Sequence, residues 1–207
     1  WEKRHFFNQV IEHPLIDSTP EEVLRYSFPR DQLETLLKPM EAVARQGDLF
    51  FIGSDVSPCA FEMYWRLRGM ERGLLDFAEH PDLAKEMIRR CVDFSILLSE
   101  KVISRYQLDW LWTGDDVSSQ SSMILSPQMW RDFIKPEMRR VFAVGKNAGL
   151  YTAYHCCGTV RPIIPDLIEI GMDVLNPIQP NCPGMEPAEL KREFGADIAF
   201  MGGVDTQ

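Results

Sequence analysis

Long apolar runs are missing from this chain. No stretch approaches the roughly 18 residues that a membrane helix needs, and no charged-then-apolar leader opens it, so neither a membrane span nor a secretory signal is read. Glycine-rich phosphate loops are missing too. No Gly-x-Gly-x-x-Gly follows an apolar run and no Walker loop occurs, which weighs against a nucleotide-binding open sheet. Positive charge is in deficit: 22 lysines and arginines face 31 acids, for a net charge of −9. Lys38, Arg66, Arg68, Lys101 and Lys146 are scattered rather than clustered. Such a chain repels phosphate backbones, and nucleic acid is excluded as a partner. Cysteines are few and odd in number: Cys59, Cys91, Cys156, Cys157 and Cys182. An odd set with two neighbours is a poor disulfide framework. A reducing, cytoplasmic setting with thiols free for metal or chemistry fits better.

What is present is an ordinary globular balance, 45% hydrophobic and 26% charged, which rules out disorder and low complexity. Residues 1–47 read as irregular, punctuated by His13-Pro14, Thr19-Pro20 and Phe28-Pro29. Short helices are expected from Ser18 and over Asp31 to Arg45, the latter bent at Pro39. A βα rhythm follows from residue 48. Strands are expected over Leu49–Gly53, Leu108–Thr113, Leu150–Tyr154, Met172–Leu175 and Asp197–Met201. Helices are expected over Phe61–Gly69, Leu74–Glu79, Asp82–Ser104, Ser126 to about Ala148, Val160–Ile170 and Pro187–Phe194. The Asp82–Ser104 helix carries Leu83, Met87, Cys91, Phe94, Leu98 and Val102 on one stripe. Alternation of this kind gives a parallel α/β sheet. Eight barrel strands usually take about 250 residues, so five in 207 suit an incomplete barrel.

The polar residues of interest sit just past expected strand ends: Asp55, Asp115, Asp116, His155, Cys157, Asn176, Gln179 and Asp205. A parallel sheet gathers its chemistry on that edge. In Tyr154-His155-Cys156-Cys157-Gly158, strand alternation sends His155 and Cys157 one way and Cys156 the other. An imidazole beside a thiolate makes two zinc ligands, and Cys182 could supply a third. The competing reading is a buried histidine with small thiols filling a core. Cys59 and Cys91 read as structural. Thr113-Gly114-Asp115-Asp116 places two carboxylates side by side, suited to acid–base work or to a cationic ligand, or else to turn formation. Gln120, Asn176-Pro177-Ile178-Gln179 and Gly202-Gly203-Val204-Asp205 offer polar contacts or plain turns. Tyr64, Trp65, Trp110, Trp112 and Trp130 read first as core and second as the wall of a pocket for a flat ligand.

Three runs together resemble one family: His155-Cys156-Cys157-Gly158-Thr159-Val160-Arg161-Pro162, Asp173-Val174-Leu175-Asn176-Pro177-Ile178-Gln179-Pro180 and Gly202-Gly203-Val204-Asp205-Thr206-Gln207. With Arg68-Gly69-Met70-Glu71 and Gly114-Asp115-Asp116 they are similar to the uroporphyrinogen decarboxylase superfamily, over about residues 10–207. The resemblance implies a (β/α)8 TIM barrel with its active site at the C-terminal mouth. It implies one URO-D-like domain over 1–207, an incomplete fragment truncated at both ends, with 1–47 as an N-terminal segment and 48–207 as βα units. Genuine decarboxylases carry Gly-Asn-x-Asp-Pro where this chain has Gly203-Val204-Asp205-Thr206, and they lack the His-x-Cys pair. That pair resembles the zinc site of the corrinoid-dependent methyltransferase branch. The resemblance implies that His155 and Cys157 ligate zinc, with a third ligand beyond Gln207 unless Cys182 serves. It also implies catalytic roles for Asp116 and Asp205, and substrate or corrinoid contacts for Asp115, Gln120, Asn176 and Gln179. The implied activity is zinc-assisted methyl transfer between a corrinoid and a thiol or tetrahydropterin-type acceptor. Its partner is a small molecule or a corrinoid protein, and a homo-oligomer is compatible with it. The alternatives are uroporphyrinogen decarboxylation and a non-catalytic corrinoid or porphyrin binder.

Overall fold

The computed structural model describes residues 2–4, 7–47, 49 and 51–204. It opens with an antiparallel pair, β1 (Glu2–Arg4) and β2 (Phe7–Gln9), in the segment read as irregular. Two helices follow, α1 (Pro20–Arg25) and α2 (Leu33–Ala44). A capping box starts α1: the Glu22 amide donates to the Thr19 hydroxyl, and the Thr19 amide donates back to the Glu22 carboxylate.

The body is a five-stranded parallel sheet of β3 (Gly53–Asp55), β4 (Trp110–Gly114), β5 (Tyr151–His155), β6 (Val174–Asn176) and β7 (Ala199–Phe200). The helices are α3 (Phe61–Arg68), α4 (Met70–Glu79), α5 (Pro81–Arg105), α6 (Pro127–Phe133), α7 (Lys135–Asn147), α8 (Ile164–Glu169) and α9 (Pro187–Phe194). Strand order in space equals strand order in the chain. A doubly wound sheet reverses direction at a switch point. Here every crossover steps the same way, which is how consecutive βα units of a (β/α)8 barrel are laid down. Leu111, Tyr154 and Leu175 belong to one large core with α5, α7 and α8, while half-buried Trp110 and Trp112 and exposed Tyr151 alternate with them along the strands. No helix among the described residues is long and apolar enough to cross a membrane.

Several elements depart from expectation for identifiable reasons. The helix expected from Ser126 to Ala148 is two helices, broken at Ile134. Pro136 has no N–H for the Asp132 carbonyl and its ring crowds that group. The strand expected over Leu49–Gly53 lies at Gly53–Asp55 instead. Ile52 is drawn into a small separate core with Leu37, Val102 and Leu108, and its amide donates to Asp109 Oδ2 at 2.6 Å, so the strand begins only at Gly53. Gly53 then faces Trp110, where a Cβ would stand 1.9 Å from the indole nitrogen. The helix expected over Val160–Ile170 starts as a 3-10 turn, Arg161–Ile163, because Pro162 and Pro165 both lack donors.

Three buried ionisable side chains, Arg68, Asp76 and Asp115, tie neighbouring elements together. Arg68, scattered on the sequence, is fully enclosed: Nε donates to Asp76 Oδ2 at 2.8 Å, and Nη1 donates to the carbonyls of Leu15 (2.5 Å) and Ser18 (2.7 Å). Tyr64 adds its hydroxyl to Asp76 Oδ2 at 2.6 Å. Asp115, just past β4, is also fully buried, and its oxygens accept the amides of Phe61 (3.0 Å) and Glu62 (2.6 Å) at the start of α3. This corrects the expectation that Asp115 contacts a ligand, since its acceptor sites are spent on capping a helix. Burial pushes its pKa up to about 7 against the pull of those amides, with the Glu62 and Asp116 charges adding.

Replacing Arg68 with alanine strands the Asp76 carboxylate without a cation in the core. The expected cost is roughly 3–5 kcal/mol, read as a lower urea midpoint. Asp115→Ala uncaps α3 and leaves two amides unsatisfied, a loss of about 1–3 kcal/mol by the same measurement. Because the folded pKa of Asp115, about 7, lies above the unfolded value of roughly 3.9, folding takes up a proton between them. Wild-type stability therefore falls as pH rises across that interval, and Asp115→Asn shows a smaller fall.

Candidate metal centre

Strand register builds the site. Gly114 pairs with His155 and His155 with Asn176, so β4, β5 and β6 end level. Beyond β5 the chain keeps the alternation of a strand. Cys156 turns into the core, its sulfur 3.4 Å from Ser118 Oγ, while Cys157 Sγ lies on the side of His155, 3.5 Å from Nε2. The Cys157 amide donates to Asp116 Oδ1 at 2.7 Å, and that same oxygen lies 3.9 Å from His155 Nε2. One donor atom from each of Asp116, His155 and Cys157 falls within 4.8 Å of the others, and all three residues are half-buried.

The histidine tautomer follows from its neighbours. Asn176 Nδ2 donates to the Met201 carbonyl at 3.1 Å, so Asn176 Oδ1 is the atom facing His155 Nδ1 at 2.7 Å. Nδ1 must then carry the proton, and Nε2 presents a lone pair toward Cys157 and Asp116. Gln179 acts similarly in the loop after β6: Oε1 accepts the Gly158 amide at 2.6 Å, and the Cys182 thiol lies 3.8 Å from it. Gly158, at φ +89°, cannot be replaced without strain, since a Cβ would meet the Ser119 carbonyl oxygen at 2.2 Å. The Thr159 amide donates to that carbonyl at 2.9 Å, which locks the loop after β5 onto the loop after β4.

The donors suit a borderline cation. A tetrahedral zinc with bonds of about 2.3 Å to sulfur and about 2.05 Å to nitrogen separates those two atoms by roughly 3.6 Å. The observed S–N separation is 3.5 Å. Without a cation the thiol is poorly disposed to ionise: burial pushes Cys157 up to about 11, and the charges of Asp116 and Glu62 push the same way.

The structure sorts the residues expected here. His155, Cys157 and Asp116 come together. Asn176 holds the His155 ring, and Gln179 holds the Gly158 amide in the loop after β5. Cys182 is buried and lies outside the donor group, which takes Asp116 in its place. Gln120 is exposed, and its carbonyl receives the Thr159 hydroxyl at 3.4 Å. Asp205 lies outside the described residues. Glu62 was not marked by any motif. It reaches the site because α3 starts beside Asp115; its Oε2 accepts the Asp116 amide at 3.4 Å, its other oxygen pairs with Arg66, and burial raises its pKa. Trp112 stands beside the imidazole, ring centres 6.1 Å apart.

Curated protein sequences gave no match. Among solved structures, a methyltransferase from Methanosarcina mazei superposes with a TM-score of 0.71 at 18% identity, covering 92% of this chain and 54% of that one. At that identity the likeness shows a shared fold, and the chain spans about half the length of that structure. The model of the uroporphyrinogen decarboxylase (URO-D) family matches residues 8–207, and the chain belongs to that family.

Proposed function

We propose that the strand-end site serves metal-assisted methyl transfer between a corrinoid and a thiol or tetrahydropterin-type acceptor. The observation that carries this reading is the convergence of three unlike donors, His155 Nε2, Cys157 Sγ and Asp116 Oδ1, at one point on the sheet edge. Family membership and a fold shared with a protein named as a methyltransferase support it. Zinc bound there would supply Lewis acidity and hold a thiol as thiolate at neutral pH.

The protein's own residues do the rest. Asn176 keeps the imidazole in the tautomer that offers Nε2. The Cys157 amide holds Asp116 beside it as the third donor. Catalytic zinc takes three protein ligands and leaves a position for substrate, so this set is sufficient without Cys182. Trp112 gives a flat apolar wall next to the donors, suited to a corrin or pterin ring. Gln120, exposed on the neighbouring loop, and Asp205 are proposed to contact the methyl donor, which arrives as a small molecule or on a corrinoid protein.

Metal analysis tests this directly. The native protein is expected to hold about one zinc per chain, and His155→Ala or Cys157→Ala to lose it. Asp116→Ala should weaken zinc binding by at least roughly tenfold. Methyl transfer from methylcobalamin to a thiol, followed by the cobalamin spectrum, should fall in step with metal content. Absence of stoichiometric zinc, with the substitutions leaving transfer unchanged, would sink the proposal. Conversion of uroporphyrinogen to coproporphyrinogen would assign the chain to decarboxylation instead.

A further inference from the structure

A second concave feature lies in the helix layer, formed by elements that contribute nothing to the metal centre. It is a cavity of about 360 Å³ between the chain that leaves α1 and the outer face of α5, walled by the arginines Arg25, Arg30, Arg89 and Arg90, the aromatics Tyr26 and Phe28, and also Ser27 and one acid, Asp93. We propose that it binds a small oxyanion ligand, one bearing phosphate or carboxylate groups.

Charge is the first argument. The chain carries a net −9, yet four guanidinium groups face this one cavity. The acids around it are already engaged. Glu86 accepts two hydrogen bonds from Arg89, and Asp93 is shared between Arg89 and Arg140 at 2.7 and 2.5 Å. Glu137 takes the other arm of Arg140. Arg89 and Arg140 take up those three carboxylates, and Arg25, Arg30 and Arg90 have no carboxylate partner among the described residues. Arg25 and Arg30 form no ion pair among the described residues.

Preorganisation is the second argument. The hydrogen bonds of Arg90 go to the main-chain carbonyls of Leu24 (2.7 Å) and Tyr26 and to Met87 Sδ (3.4 Å) rather than to a carboxylate. Its guanidinium also lies over the Phe28 ring, 6.0 Å from the centroid. Phe28 is itself wedged between Tyr26 and Phe94, with centroids 5.1 and 5.4 Å away. The walls are therefore fixed before a ligand arrives, and Arg25 and Arg30 stand exposed at the rim to close on it. Planar guanidinium forks match the oxygens of phosphate and carboxylate in paired hydrogen bonds. The volume falls within the usual range for small-ligand sites.

The test titrates inorganic phosphate and, separately, citrate into the full chain by calorimetry at low ionic strength, with a thermal melt in parallel. Saturable binding of at least one, with a rise in Tm, is expected. Arg25→Gln with Arg30→Gln, both exposed positions, should keep the native circular dichroism and weaken that binding by roughly tenfold or more, the loss of about one charge-assisted contact. His155→Ala should bind as the parent does, which separates this site from the metal centre. Response to phosphate alone or citrate alone identifies the group recognised. Binding of neither, equal binding by the double variant, or an equal rise in Tm with sodium chloride at matched ionic strength would each overturn the assignment.

Discussion

One hydrogen bond sets the chemistry of the sheet edge, that between Asn176 Oδ1 and His155 Nδ1. The orientation of Asn176 depends in turn on the Met201 carbonyl, past the end of β7. Turning the amide over would set its NH2 against the protonated Nδ1 and its oxygen against the Met201 carbonyl, two repulsions in place of two bonds. Three consecutive strands therefore fix which imidazole nitrogen is free. The barrel order of the strands is what brings these residues level, and a one-residue slip between β5 and β6 would turn Asn176 to the opposite face. The fold makes the site in this specific sense.

The second constraint is electrostatic. Glu62, Asp115, Asp116 and Cys157 crowd one edge of an acidic protein. Main-chain amides absorb some of the charge: those of Phe61 and Glu62 serve Asp115, that of Cys157 serves Asp116 and that of Asp116 serves Glu62. Arg66 serves Glu62 as well. The directions of the pKa shifts show how incomplete this is, with Asp115, Glu62 and Cys157 all pushed up. A cation set among Asp116, His155 and Cys157 would relieve the strain at the point where the donors already converge.

Much of this was legible in the sequence. The parallel α/β class followed from alternating elements, and α9 and the long α5 lie within a residue of where periodicity put them. The side-by-side placement of His155 and Cys157 required only that an extended chain alternate. What escaped depended on distant partners. Arg68 looks like any surface arginine until Leu15, Ser18 and Asp76 close around it. Asp115 and Asp116 are neighbours of identical chemistry, yet the first faces α3 and the second faces the mouth, a division fixed by the start of α3 54 residues earlier. Pro136 was readable as a helix break, because Asp132 loses its donor whatever the tertiary context.

On the face built by α6, α7 and α8, several charges are matched locally. Asp166 takes hydrogen bonds from Arg131 and Lys135, Glu169 from Lys135 and Arg139, and Asp173 from Lys146. Such pairs pin α6, α7 and α8 to one another and leave little field to attract a ligand. Two places break the pattern in opposite senses. The strand ends gather acids and a thiol, where we propose a cation, and the cavity beside α5 gathers arginines, where we propose an anion.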